Sequence, residues 1–308
     1  MARRRKGLPI HGWINLDKPP GVTSTQAVSR VKRLFNAAKA GHGGTLDPLA
    51  TGVLPIALGE ATKTVAHAMD GEKEYLFTIR FGIETETGDR EGKVTADSDA
   101  RPTDAAIAAV LPRFTGEIDQ VPPRFSAIKV DGERAYDLAR DGADFDLAPR
   151  RVTVLSLALE ERPDPDHAVI RCRSGKGVYV RSLARDMARA LGTVGHVSRL
   201  RRTAVGRFTE GGSISLDNLE AFGHSAPDSG HLLPVETALA DIPALALTEA
   251  EARRLAQGQA IAALPVASRS PFKDISQGDM VSAMLGDRLV ALAEIRGGEI
   301  RPLRVLNL

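Results

Sequence analysis

The stretch Gly41-His42-Gly43-Gly44-Thr45-Leu46-Asp47-Pro48-Leu49-Ala50-Thr51-Gly52-Val53-Leu54 sets one carboxylate, Asp47, between a glycine cluster and a proline. Gly41, Gly43 and Gly44 allow left-handed or tightly turned backbone and leave room for a large ligand to approach. Pro48 fixes its own φ and biases Asp47 away from helical geometry. Past Gly52, Val53-Leu54-Pro55-Ile56-Ala57-Leu58 reads as the start of a buried strand. The stretch therefore predicts a polar loop feeding a core strand, a platform for a reactive side chain. By themselves, the same residue types also make an ordinary surface turn.

The chain around this loop has 308 residues, 43% hydrophobic and 26% charged, enough for one large globular domain or two with a sizeable core. A single cysteine, Cys172, precludes an internal disulfide, and no Cys/His cluster has zinc spacing, so a reducing cytoplasm and no metal are expected. No apolar run is long enough to span a bilayer, and the basic arm Met1 to Lys6 is not followed by an apolar signal segment, so a soluble protein is expected. The net charge of +2 is unevenly spread: Arg150 to Arg207 holds 13 Arg plus Lys against 5 Asp plus Glu, and Lys18 to Lys39 holds five cations and no acid. The balancing acids fall largely in Glu84 to Asp99 and Asp131 to Asp146. Such blocks predict a basic face for phosphates, with solvated surface as the alternative.

Ile10 to Leu16 alternates as a strand and stops at the turn Asp17-Lys18-Pro19-Pro20-Gly21. Thr23 with Gln26 offers a capping box for a helix whose apolar face is Ala27, Val28, Val31, Leu34 and Phe35. A short helix is expected from Glu60 to Met69, then a strand from Lys73 to Phe81 with Tyr75, Phe77, Ile79 and Phe81 on one side. Glu84 to Glu91 reads as a loop, and Thr103 caps a helix to about Leu111. Val152 to Leu159 and Ala168 to Arg173 are strands leading to Ser174-Gly175-Lys176-Gly177, which lacks the first glycine and the spacing of a phosphate-binding P-loop, so ATP binding is rejected. From about Tyr179 a helix turns Val180, Leu183, Met187 and Leu191 inward, with Arg181, Arg185 and Arg189 on another face. His196 to Phe208 is a further strand, Ala221 to Gly230 has linker composition, and short strands separated by glycine turns follow to the end.

Read together, these segments closely resemble the TruB-type tRNA pseudouridine synthases. The matching motifs run in family order: Asp17-Lys18-Pro19-Pro20-Gly21-Val22-Thr23-Ser24; Gly41 to Pro48 with Gly52 and Leu54; Lys73-Glu74-Tyr75; Pro122-Pro123 with Phe125-Ser126-Ala127 and Lys129; Lys176 to Arg181; and Leu200-Arg201-Arg202. The resemblance implies an α+β fold, with a mixed central β-sheet catalytic domain over residues 1–240 and a small β-rich PUA-like RNA-binding domain over 241–308. It implies isomerisation of uridine to pseudouridine in the T-loop of tRNA, at position 55, without a cofactor. The partner implied is the tRNA T-arm. No membrane or protein partner is implied, and a cytoplasmic monomer is expected.

Residue by residue, Asp47 matches the family's essential aspartate, Arg181 the arginine paired with it, and Tyr75 the aromatic that packs on the target base and assists late proton removal. Tyr179 and Leu200 match residues lining the pocket. His42 matches the residue that replaces the extruded uridine in the stack. Whether Asp47 attacks the base, attacks the sugar or removes a ribose proton stays open. Rival readings are a synthase for another RNA, including a guide-RNA-dependent one, against which the absence of long extra termini weighs; a tRNA-folding chaperone; and a glycoside hydrolase, for which no second carboxylate in comparable context is visible.

Overall fold

The computed structural model describes residues 7–126, 128–130, 132–270 and 276–308. The arm Met1 to Lys6, and Ala127 and Asp131 named above, lie outside them. A ten-stranded mixed sheet dominates the α+β architecture. Its main path runs Ile214–Ser215, Gly12–Lys18, Thr51–Leu58, Gly195–Val205, Lys73–Phe81, His167–Ser174, Arg150–Asp164 and Gly116–Gln120. Thr51–Leu58 and Gly195–Val205 run parallel and pair only at Thr51 with Arg201 and Gly52 with Arg202. This short contact brings the strand after the Asp47 loop beside the strand that carries Leu200.

One sheet face packs against the helices Ser24–Leu34 and Val180–Ala190: Ile14, Leu54, Ile56, Phe77, Ile79 and Phe81 join Val31, Phe35, Leu183 and Met187 in the main core. The first helix forms where the capping box places it, with Thr23 and Gln26 satisfying each other's backbone N–H. On the other face, Trp13, Val53, Ala57 and Phe208 pack with Val235 and Leu239 and with Leu289, Leu292 and Leu306 of a second sheet. That five-stranded sheet runs Ala244–Ala246, Met280–Leu285, Arg288–Arg296, Glu299–Val305 and Ile261–Ala262, around its own core from Leu245 to Ile300.

Several expectations need correction. The segment Ala221 to Gly230 is no linker: Gly223–Asp228 forms a 3-10 helix against Ser24–Leu34, and Ala226 is fully buried in the main core. Leu233 then pairs its backbone with Trp13 through two 2.8 Å hydrogen bonds. Glu84 to Glu91 is not all loop, because Ile83–Thr85 pairs with Val94–Asp97. The Glu60 to Met69 helix is split into Gly59–Lys63 and Val65–Asp70. The strand starting at Gly12 runs through Asp17 and Lys18 rather than stopping before them. The Arg150 to Arg207 block is not a free basic face: Arg171 pairs with Glu74 and Glu160, Arg173 with Glu72, Arg189 with Glu84, Arg201 with Asp17 and Glu210, and Arg207 with Asp241. Apart from Glu160, these carboxylates lie outside the block and are folded in beside its arginines, which block counting along the chain cannot register.

Candidate active site

The Asp47 loop is anchored from below and strapped from both sides. Leu46, Leu49 and Ala50 are buried in the main core, which excludes the surface-turn reading. The Leu46 N–H donates to Ser24 Oγ at 2.9 Å, and the Ser24 hydroxyl donates to the Leu46 carbonyl at 3.0 Å. Lys18, fully buried, donates from Nζ to the carbonyls of Pro19 (2.8 Å), Val22 (2.7 Å) and Pro48 (3.3 Å). Arg202, also buried, donates to the carbonyls of Val53 (2.8 Å), Gly44 (3.1 Å) and Thr45 (3.3 Å). Of the three clustered glycines only Gly44 has positive φ, at 120°. Gly41 and Gly43 do not need the freedom expected of them. Gly52 does: at φ 100° a Cβ would fall 2.2 Å from the Arg202 carbonyl oxygen.

On this platform Asp47 Oδ2 stands 2.9 Å from Arg181 Nε, with the carboxylate about one-third exposed and the guanidinium buried. Arg181 lies in the first turn of Val180–Ala190, beside the inward face of that helix. Its remaining donors meet the carbonyls of Thr87 and Phe125, both at 2.9 Å, and it approaches Asp89 at 3.7 Å. An arginine gripping two carboxylates and two carbonyls has little freedom to turn, so it holds the Asp47 carboxylate in one orientation.

A cavity of about 440 Å³, within the range of small-ligand sites, opens over this pair and is lined by Asp47, Tyr75, Tyr179, Arg181, Leu200 and Arg202 among others. Ser174 to Gly177 contributes to its wall through Gly175, Lys176 and Gly177. Gln120 holds Tyr179 in place, accepting from its N–H at 2.7 Å and donating to its carbonyl at 3.1 Å. Burial raises the pKa of the Tyr75 hydroxyl, and the Arg202 guanidinium pulls the other way. Burial likewise raises that of Tyr179.

His42 lines an adjoining cleft together with Asp47, Asp89, Phe125 and Arg181. Burial, and then the Arg202 charge, lower its pKa, so the ring is neutral at neutral pH, and its Nδ1 is buried without a partner among the described residues. All six residues singled out from the sequence thus meet around Asp47.

The structure adds groups that sequence reasoning passed over. Asp89, almost fully buried, is a second carboxylate beside Asp47, where none in comparable context was visible in the sequence: both line the same cleft, bridged by Arg181. It lay in a polar segment read as a loop and as balancing charge. Lys18 and Arg202 stand inside the family motifs, but their burial beneath the loop had no local signal. Lys73 donates to the Met69 and Gly71 carbonyls and lines the cavity wall. Among the described residues no cluster of three or more His, Cys, Asp or Glu could hold a metal, and no helix is long and apolar enough to cross a membrane.

Residues 32–180 match the TruB family pseudouridylate synthase (N terminal domain), and residues 181–240 match the tRNA pseudouridylate synthase B C-terminal domain. The tRNA pseudouridine synthase B of Rhodospirillum rubrum is 59% identical over 308 residues, and that of Caulobacter vibrioides 58% over 309, each aligned over 100% of both chains. A solved Cbf5-Nop10-Gar1 complex contains a chain superposing with TM-score 0.74 at 29% identity, over 96% of this chain and 84% of that one. An H/ACA RNP bound to a substrate RNA containing 2′-deoxyuridine gives 0.74 at 26% identity, over 100% and 92%. The chain belongs to the TruB family of pseudouridylate synthases.

Proposed function

We propose that the enzyme converts one uridine in the T-loop of tRNA, at position 55, into pseudouridine. The observation that carries this reading is the Asp47 carboxylate, held at 2.9 Å by a buried Arg181 on the floor of a cavity lined by Tyr75, Tyr179 and Leu200. The full-length similarity to enzymes named tRNA pseudouridine synthase B supports tRNA as the substrate.

The reaction breaks the N1–C1′ glycosidic bond, turns the uracil, forms a C5–C1′ bond, releases the C5 proton and protonates N1. Nothing is oxidised and no group is imported. The chain must therefore hold a detached base and offset charge as the bond breaks. Asp47 supplies the reacting carboxylate and Arg181 orients it. Tyr75, whose phenol burial holds further from ionising, presents a flat face to the uracil, with Leu200 and Tyr179 closing the pocket. His42, uncharged, takes the place of the extruded base in the T-loop stack, a substitution that offsets a few kcal/mol of lost stacking and pairing.

Residues 1–240 are assigned to catalysis and 241–308 to a PUA-like RNA-binding module; the separate core around Leu245, Leu255, Val281 and Ile300 supports the division. The test is incubation of the protein alone with an unmodified tRNA transcript, followed by a pseudouridine-specific chemical tag read by position. A tag at 55 with unchanged RNA mass is expected. No tag without an added guide RNA, or a tag at another site only, contradicts the proposal.

A further inference from the structure

The central sheet carries a second polar cavity on the face turned away from Asp47. In the strand Lys73–Phe81, Phe77, Ile79 and Phe81 enter the core beneath the helix Val180–Ala190. Strand alternation puts Thr78 and Arg80 on the opposite face. There they line a cavity of about 510 Å³ with Arg90, His196, Ser198 and Arg199.

The register builds this group. Arg80 lies directly opposite His167 on one neighbouring strand and His196 on the other, so the three form one cross-strand row. In the next row on this face, an irregularity between Val197 and Arg199 sets Arg199 across from Thr78. The Arg90 N–H donates to the Val197 carbonyl at 3.1 Å, which fastens Arg90 to the same strand. Ser198 Oγ donates to the Thr78 carbonyl at 3.2 Å.

The charge at this spot is unlike that of the surrounding surface. Arg171, Arg173 and Arg201 each hold a carboxylate. Among the described residues, Arg80, Arg90 and Arg199 form no such ion pair, although Glu161 and Asp164 also line the cavity. Asp164 is already engaged by the His167 ring at 2.9 Å and the Asp166 N–H at 2.8 Å. Arg80 Nε is shielded from solvent without a hydrogen-bond partner, and a buried guanidinium N–H left unmade is costly unless something accepts from it. His196 spends Nδ1 on the Ile83 carbonyl at 2.7 Å, leaving its other nitrogen free of that bond.

We infer that this cavity is a phosphate-binding site, in which Arg80, Arg90 and Arg199 grip one oxyanion from the sheet face opposite the reacting uridine. Guanidinium forks suit the tetrahedral, multiply accepting phosphate group. The phosphate is either a backbone phosphodiester of RNA lying outside the catalytic cleft or a small free phosphate anion.

The double variant Arg90→Gln/Arg199→Gln tests this, because both side chains are exposed and their loss leaves the core intact. Arg113→Gln/Arg151→Gln, also exposed, is the charge-matched control. Two probes distinguish the sources: pyrophosphate in a thermal-shift assay against chloride at equal ionic strength, and a full tRNA transcript in filter binding across a salt series. For an RNA phosphate, the double variant should bind tRNA about tenfold more weakly, with the salt slope reduced by about one, and the control should not. For a small anion, pyrophosphate should raise Tm of the wild type and control but not of the double variant. Arg199→Lys, which keeps the charge and loses the fork, should show the same loss in weaker form if the double variant proves unstable in chloride. A double variant that matches wild type with both probes, or a control that loses as much, overturns the assignment.

Discussion

Arg181 Nε lies 2.9 Å from Asp47 Oδ2, joining the first turn of one helix to a loop more than a hundred positions earlier. The same guanidinium serves Asp89 and the Thr87 and Phe125 carbonyls, a pattern that needs its planar fork. A lysine offers one point of attachment. Arg181→Lys should lower single-turnover pseudouridine formation about a hundredfold or more, and should cost about 3–5 kcal/mol of stability if the ammonium leaves buried Asp89 unpaired. Near-normal rates would remove Arg181 from the positioning of Asp47.

Asp47 itself bears on chemistry more than on binding. Its loop is held by Lys18, Ser24 and Arg202 through backbone atoms, so Asp47→Asn should keep the loop in place and abolish turnover while tRNA affinity changes less than about threefold. A loss of affinity matching the loss of rate would make Asp47 a structural residue.

Lys18 gives the site a pH limit. Burial pulls its pKa down to about 8, against the opposing pull of Asp47, and burial brings Lys73 to about 8 as well. Below about 8 the Lys18 ammonium has three donors for its three carbonyls; above it the neutral amine has two, and the hold on Pro48 weakens. The single-turnover rate at saturating tRNA should therefore fall as pH rises through about 8. The sign for stability is the opposite. An unfolded lysine keeps its proton to about 10.5, so between about 8 and 10.5 the unfolded chain binds more protons and these two groups make stability rise with pH. The rate should drop in that window without a drop in Tm, and a parallel fall of both would assign the loss to unfolding.

What was legible in the sequence was local or motif-bound. The Thr23/Gln26 capping box formed as read, because it is closed within one turn by residues three apart. Asp47 could be singled out because glycine and proline constrain backbone wherever they stand. Asp89, and the burial of Lys18 and Arg202, could not be read, because a charge is made tolerable in a core by carbonyls and partners that only the fold assembles. The supposed linker at Ala221 to Gly230 failed for a related reason: small residues suit a flexible tether, but they also suit a tight 3-10 turn pressed onto a helix, and burial of Ala226 decides between the two.

Trp13, the sole tryptophan, reports on the seam between the two sheets. It is fully buried, packs against Phe208 with ring centroids 5.2 Å apart, and shares a cluster with Leu289, Leu292 and Leu306. Leu292→Ala should cost about 2–5 kcal/mol. Because the lost packing lies in the cluster that holds Trp13, intrinsic fluorescence and far-UV circular dichroism should shift to lower Tm together. A variant in which the fluorescence transition stays at its wild-type Tm would show that the C-terminal sheet does not stabilise the catalytic part through this seam.

His42 offers the test that best separates binding work from chemistry. Its ring is neutral because burial and Arg202 both lower its pKa, so it can enter a base stack without carrying a charge out of water. If it fills the place of the extruded uridine, it acts against stacking energy, and an RNA that has already lost that stacking needs it less. His42→Ala should be slow on an intact T-arm, by about tenfold to a hundredfold for a deficit of one to three kcal/mol, and should recover most of that loss on a T-loop variant whose target uridine is unstacked. Asp47→Asn should be inactive on both. The measurement is single-turnover pseudouridine formation for two enzymes on two RNAs, with saturation checked for each pair. A His42→Ala defect of equal size on both RNAs would exclude the stacking role and leave His42 as a support of the Asp47 loop, whose strand it shares through pairing with Ile56.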